Sequence, residues 1–265
     1  SKLFEKTLRQ ALPGLVYVQE VAAQHRVPGE FVLLPWVESN YRPVPAREHH
    51  AAGMWQIMPI TARSMGLSSD HHYDARLDLA AATYAVMKLL EQYHDRFHDW
   101  RVADYAYNAG EFRLRRLIRK YGAPADEPVI PDLPVPTITR EHLVKLLAMA
   151  CVVREPERFQ VNLPVLPDTG RLVQTPVTQP SKAARAAHLA GMPVTALKYL
   201  TPAFGVHLGG PSAAPYLRLP AGQAGQFLPA VEVLSGWPSG QAVAPVAAAT
   251  EETARARTRL MPPVA

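Results

Sequence analysis

The stretch "FVLLPWVESNYRPVPAREHHAAGMWQIMP" (Phe31–Pro59) decides how this chain is read. One acid, Glu38, closes seven mostly apolar residues, and a Pro-rich loop and a small-residue turn follow before Trp55-Gln56. Two readings are open. Glu38 is either a helix-end group turned to water, or an acid held in a dry cleft. If "FVLLPWV" is helical, Glu38 falls about one turn after Leu34 and Pro35, on or beside the apolar face. Burial beside Leu34 and Trp36 would then raise its pKa and keep it protonated as a general acid.

Working outward, the chain has 265 residues, 48% of them hydrophobic, enough for a core of ordinary size. Its net charge of +5 suits a polyanionic partner without choosing among nucleic acid, a membrane surface and an anionic wall polymer. The densest basic cluster, "RLRRLIRK" (Arg113–Lys120), interleaves its cations with Leu and Ile at helical spacing, as the wet face of an amphipathic helix does. A single cysteine, Cys151, excludes an intramolecular disulfide and a Cys-based zinc site, and reads as a small buried hydrophobe. The pairs His49-His50 and His71-His72 lack ligand spacing, because adjacent side chains diverge on any regular element. No metal and no cofactor is expected. No apolar run approaches the roughly 20 residues that span a bilayer. The opening "SKLFEKTL" already reads as helix, so any targeting segment is expected to have been trimmed.

Helical periodicity dominates from Leu3 to Tyr121, in five segments that include "GEFVLLPWVESN" and "DARLDLAAATYAVMKLLEQYHDRF". In the latter, Asp74 and Asp78 lie at the N-terminal end, where the helix dipole favours acids. Gly122 reads as a C-cap and Thr139 as the N-cap of a last long helix, "TREHLVKLLAMACVVREPERF". A Pro/Thr-rich stretch over 161–182 reads as linker or short strands. After it come helix, Gly191-Met192-Pro193 turn, helix, a short strand "PYLRLP" and another helix, up to about residue 235. Residues 236–265 are Ala/Pro-rich and read as a flexible tail.

The ordered set Glu38-Ser39 with Tyr41 and Pro43, "AAGMWQI" with Pro59 and Thr61, "YDARLDLAAAT" (Tyr73–Thr83) and "AYNAG" (Ala106–Gly110) resembles the lysozyme-like catalytic domain of bacterial lytic transglycosylases. The resemblance covers roughly residues 25–160. It implies a mainly α fold, with a lysozyme-like domain over 1–160 and a small α+β appendage over 183–235 that resembles a degenerate LysM unit. It also implies cleavage of the β-1,4 bond between N-acetylmuramic acid and N-acetylglucosamine in peptidoglycan, with a 1,6-anhydro product. Carried over by position, Glu38 is the single catalytic acid/base. Ser39, Gly53, Met54, Trp55 and Gln56 line the subsites, Tyr107 hydrogen-bonds near the carboxylate, and Asn108 supports the cleft wall. Taken singly, each has a plainer reading: Trp55 as core, Tyr107 and Asn108 as structural hydrogen-bonders.

Three positions depart from the family pattern. Arg47 stands where a Ser is usual, Ile138 replaces an acid, and His142 replaces a Tyr in the last catalytic helix. If they face the cleft, Arg47 and His142 join the substrate-binding set, with Arg47 meeting a stem-peptide or lactyl carboxylate. The expected partner is the glycan strand of peptidoglycan, with no nucleic acid. The expected setting is the periplasm or envelope of a Gram-negative bacterium. The protein is expected to be a monomer, held at the outer membrane by a lipid anchor preceding this chain. Two alternatives stay open: a hydrolytic muramidase of altered specificity, for which Glu48, Asp70, Asp74 or Asp104 would serve as second carboxylate, and a catalytically weakened glycan-binding protein.

Overall fold

The computed structural model describes residues 2–176, 181–204, 207–208 and 216–227. The tail read over 236–265 lies outside them. Most of the described chain is helical. α1 (Lys2–Gln24) buries Leu8, Ala11, Val18, Val21 and Ala22, one stripe at 3.6 spacing, and continues through Pro13. The segment read as one helix around Glu38 is two pieces. A 3₁₀ turn over Gly29–Leu33 leads into α2 (Leu34–Ser39), six residues with Pro35 in the first turn, where its missing N–H costs nothing. Asn40 and Tyr41 take left-handed φ values of 54° and 58°, and the helix stops there.

α3 (Pro59–Ser64) follows the turn at Gly53–Gln56. α4 (Leu79–Phe97) starts at Asp78, whose carboxylate accepts the N–H groups of Ala80 and Ala81. α5 (Trp100–Ala109) and α6 (Glu111–Tyr121) divide at Gly110, φ 89°, and Gly122 caps α6. The arginines of α6 face solvent while Leu114 is buried, as its spacing predicts. α7 (Thr137–Arg154) begins three residues earlier than expected. Pro136 precedes it, and Thr139 lies inside the helix rather than capping it. Cys151 is only half-buried on this helix, so it is not the core residue expected.

One apolar cluster joins α1, α2, α4 and α7 through Val18, Leu34, Trp55, Met87, Leu90 and Leu146. A second gathers Val102, Tyr105, Leu114, Leu133 and Leu143 around α5. These two cores fix α2, α5 and α7 against one another, and that packing builds the site.

The C-terminal part is a small α+β unit. β1 (Leu172–Pro176) pairs antiparallel with β4 (Tyr216–Pro220), with Gln174 opposite Arg218. Between them lie β2 (Ser181–Lys182), α8 (Ala183–Leu189), α9 (Val194–Leu200) and β3 (His207–Leu208). Ala186, Ala190, Leu197, Leu217, Leu219 and Phe227 form its own core. Part of the stretch read as linker or strands is therefore β1.

This unit packs on the helical domain. Asp74 donates its N–H to the Ala203 carbonyl at 3.0 Å, and the Arg218 guanidinium lies 4.8 Å from the centre of the Tyr17 ring. Tyr199 donates its hydroxyl to the Tyr41 carbonyl, and Arg171 pairs with Glu20. Among the described residues, no helix is long and apolar enough to cross a membrane.

Candidate active site

Glu38 is the penultimate residue of α2, with its side chain 16% exposed, so the carboxylate is largely but not wholly shielded. The expected apolar pocket is only part of its surroundings. Leu34 is buried in the core, and Trp36 packs on Phe4 and Tyr41, with ring centres 5.1 and 6.5 Å away. What meets the carboxylate is an imidazole. His142 Nε2 lies 3.0 Å from Glu38 Oε1, and Nδ1 lies 3.0 and 3.1 Å from the two oxygens of Asp104.

His142 is 6% exposed and Asp104 fully buried. Burial alone would lower the imidazole's pKa, but the hydrogen bonds and charges of Asp104 and Glu38 outweigh it and push it up to about 9. Burial raises the Asp104 carboxyl, against the opposing pull of His142. Both His142 nitrogens are thus taken by protein acids. The expectation that His142 binds substrate is corrected: it holds Glu38.

Most of the other expected residues gather around the Gly53–Gln56 turn, which Ser39 ties to α2. Ser39 is buried and donates its hydroxyl to the Met54 carbonyl at 2.9 Å, tying α2 to the turn. Met54 is half-buried. Trp55 is fully buried and donates Nε1–H to Thr83 Oγ1 at 3.1 Å. Its indole is core, as the plainer reading held, and contributes no sugar-facing surface. Its carbonyl accepts the Tyr107 hydroxyl at 2.6 Å. Burial and the Glu38 charge push that phenol well above its ordinary range, so it remains a donor. Gln56, at φ 48°, donates its amide to the Gly53 carbonyl at 2.7 Å and closes the turn. Asn108 is exposed at the end of α5, and its Oδ1 accepts the Thr139 hydroxyl at 2.8 Å.

Gly53 shows why this turn needs glycine. Its φ is 76°, and a Cβ built there would lie 2.0 Å from the Arg76 carbonyl oxygen. Gly53→Ala therefore destabilises the fold by about 2 kcal/mol or more, combining left-handed strain with that clash. Denaturant unfolding measures it, and a loss below about 0.5 kcal/mol would sink this account.

Arg47 is exposed on the intervening loop and makes no ion pair among the described residues. Ile138 is 67% exposed at the start of α7. Of the four acids weighed as a second carboxylate, Asp74 binds Arg76 and Asp70 caps the turn at His72 and Tyr73. Glu48 is exposed on the loop, and Asp104 reaches Glu38 only through His142. Among the described residues, no group of His, Cys, Asp and Glu is arranged to hold a metal ion.

Asp104 was weighed only as a second carboxylate, and Arg76 not at all. Asp104 had a visible signal: an acid inside the buried run Val102-Ala103-Asp104-Tyr105-Ala106. Arg76, 8% exposed, spans Asp74 and the carbonyls of His50 and Ile57, and so pins the turn from behind. Its signal was an arginine two residues after Asp74, within the motif Tyr73–Thr83.

Ser39, beside Glu38 on a short helix, is thus tied to a Gly-Met-Trp-Gln turn, and Tyr107 of a Tyr-Asn pair closes on that turn. The family model described as the transglycosylase SLT domain matches residues 17–130. In particular, the chain is similar to membrane-bound lytic murein transglycosylase D of Escherichia coli strain K12. The two are 32% identical over 228 residues, which is 86% of this chain and 50% of that protein. The protein of the same name from Escherichia coli strain CFT073 gives the same figures. The chain spans about half the length of these curated relatives.

Proposed function

We propose that this chain is a peptidoglycan lytic transglycosylase with Glu38 as its single acid/base. Glu38 protonates the glycosidic oxygen between N-acetylmuramic acid and N-acetylglucosamine as the C1–O bond breaks. The same carboxylate then takes the proton of the C6 hydroxyl as that oxygen closes on C1, leaving a 1,6-anhydro ring. The observation carrying this reading is the fate of the other acids. Hydrolases of this class place two carboxylates across the bond. Here Asp74 and Asp70 are committed to the fold, and Asp104 is sealed behind His142. An intramolecular nucleophile needs orientation rather than a second acid.

Arg47, exposed on the loop after Glu38, is the cation we assign to substrate carboxylates. The C-terminal unit, two helices on an antiparallel strand pair with its own core, supports a LysM-like assignment as a glycan-binding appendage. Work on the murein wall places the chain in the envelope, acting as a monomer. Attachment to the outer membrane would come from a lipid anchor outside this chain.

Mass spectrometry of the products from purified sacculi tests the reaction. Anhydro-terminated muropeptides are expected, and reducing ends in their place would establish a hydrolase instead.

A further inference from the structure

Three elements bring Glu38 (α2), Asp104 (α5) and His142 (α7) into one chain of contacts, with 3.0 Å on either side of the imidazole. With both acids ionised and the ring neutral, the cluster would hold two negative charges in a largely buried space. Among the described residues, His142 is the basic group that pairs with Glu38 and Asp104, and no lysine or arginine joins them. From α5, Tyr107 gives its hydroxyl to the Trp55 carbonyl. On α7, Arg140 points to the carbonyls of Pro131 and Leu133, Lys145 lies near Glu141, and Arg154 reaches Glu30. Two nearby carboxylates retain a proton when no cation relieves them. Here the imidazole between them is its natural seat.

Resting on the transglycosylase reading, we propose that the proton Glu38 delivers is one it shares with His142, while the buried Asp104 carboxylate fixes the ring. His142 is then a positioning residue that takes the place of an apolar pocket as the device keeping this acid supplied. At rest, Nε2–H donates to Glu38 Oε1. As the C1–O bond breaks, a proton passes from Nε2 to the Glu38 carboxyl and on to the glycosidic oxygen. The ring is left neutral and Glu38 ionised. The C6 oxygen then bonds to C1, and its proton returns through Glu38 to His142. No proton is gained or lost over the cycle. The imidazole pKa of about 9 keeps His142 protonated through neutral pH.

The pH profile of kcat for anhydro-muropeptide release separates this role from a structural one. The wild type is expected to hold its rate until the pH nears about 9, the imidazole pKa of the pair. In Asp104→Asn the alkaline limb moves toward acid by about two pH units, a rate about 100-fold lower on the descending limb with KM little changed, and in His142→Gln the limb set by the imidazole is lost. His142→Tyr restores a hydroxyl beside Glu38, so it recovers rate at acid pH but not that limb. Wild-type limbs in the Gln and Asn variants overturn the proposal.

A second measurement needs no turnover. The ring ¹⁵N signal of His142, assigned by its loss in His142→Gln, is titrated in the intact chain. Its midpoint should fall by about one unit or more in Glu38→Gln, and equal midpoints overturn the proposal. A chain with the coupled titration but without anhydro products would overturn the transglycosylase reading alone.

Discussion

Glu38→Gln is expected to lower the release of anhydro-terminated muropeptides by roughly a thousand- to ten-thousandfold. General acid or base assistance by one group contributes roughly 10²–10⁴-fold. In the proposed reaction one carboxylate serves both halves, so the loss belongs at the upper end. Gln keeps the shape of Glu and retains an oxygen to accept from His142 Nε2, so the helical domain should unfold at nearly the wild-type denaturant concentration. Chromatography and mass spectrometry of sacculi digests read the rate. A loss below about tenfold would show that another group supplies the proton, and Glu38 would no longer be the acid.

The largest stability effect is expected at Arg76, which no part of the chemistry touches. Its guanidinium lies 2.8 Å from Asp74 Oδ2 through Nη2 and 3.0 Å from the His50 carbonyl through Nη1, and its own carbonyl backs Gly53. Arg76→Met keeps the length of the side chain but strips a buried ion pair of one partner, which costs about 3–5 kcal/mol. The His50 and Ile57 carbonyls also lose a donor. Adding Asp74→Asn should recover part of the loss, because the stranded charge is the main penalty. Denaturant unfolding of both variants decides it. A cost for Arg76→Met below about 1 kcal/mol would mean that the turn is held by packing alone.

Much of the helical frame was legible because its causes are local. Asp78 caps α4 through two N–H groups, Gly122 ends α6, and the α6 arginines fall on the wet face of their own periodicity. Where the reading slipped, a neighbour in space was responsible. Thr139 has the chemistry of a cap, but its hydroxyl is used by Asn108, thirty-one residues earlier. Trp55 looks like a sugar platform until Thr83 is found to accept its indole N–H inside the core.

The acid itself was legible, and its partner was half so. His142 was noticed only as a departure from the family pattern, and Asp104 only as one of four acids that would serve as a second carboxylate. Their meeting depends on α2, α5 and α7 packing together, and no local pattern encodes a contact between residues 38, 104 and 142. The expected dry pocket failed for the same reason. Periodicity marks which face is buried, not what polar group waits on the other side.

The helix that carries Glu38 is only six residues long. Such a segment has no stability of its own in water, since nucleating a helix costs more than one or two turns return. It persists because Leu34 and Pro35 are buried and because Ser39 and Tyr41 are tied to distant carbonyls. The Glu38 carboxylate therefore has no local unfolding equilibrium to itself. Its amides should exchange with solvent only when the α4 core opens, so the acid is lost with the whole domain and never by fraying.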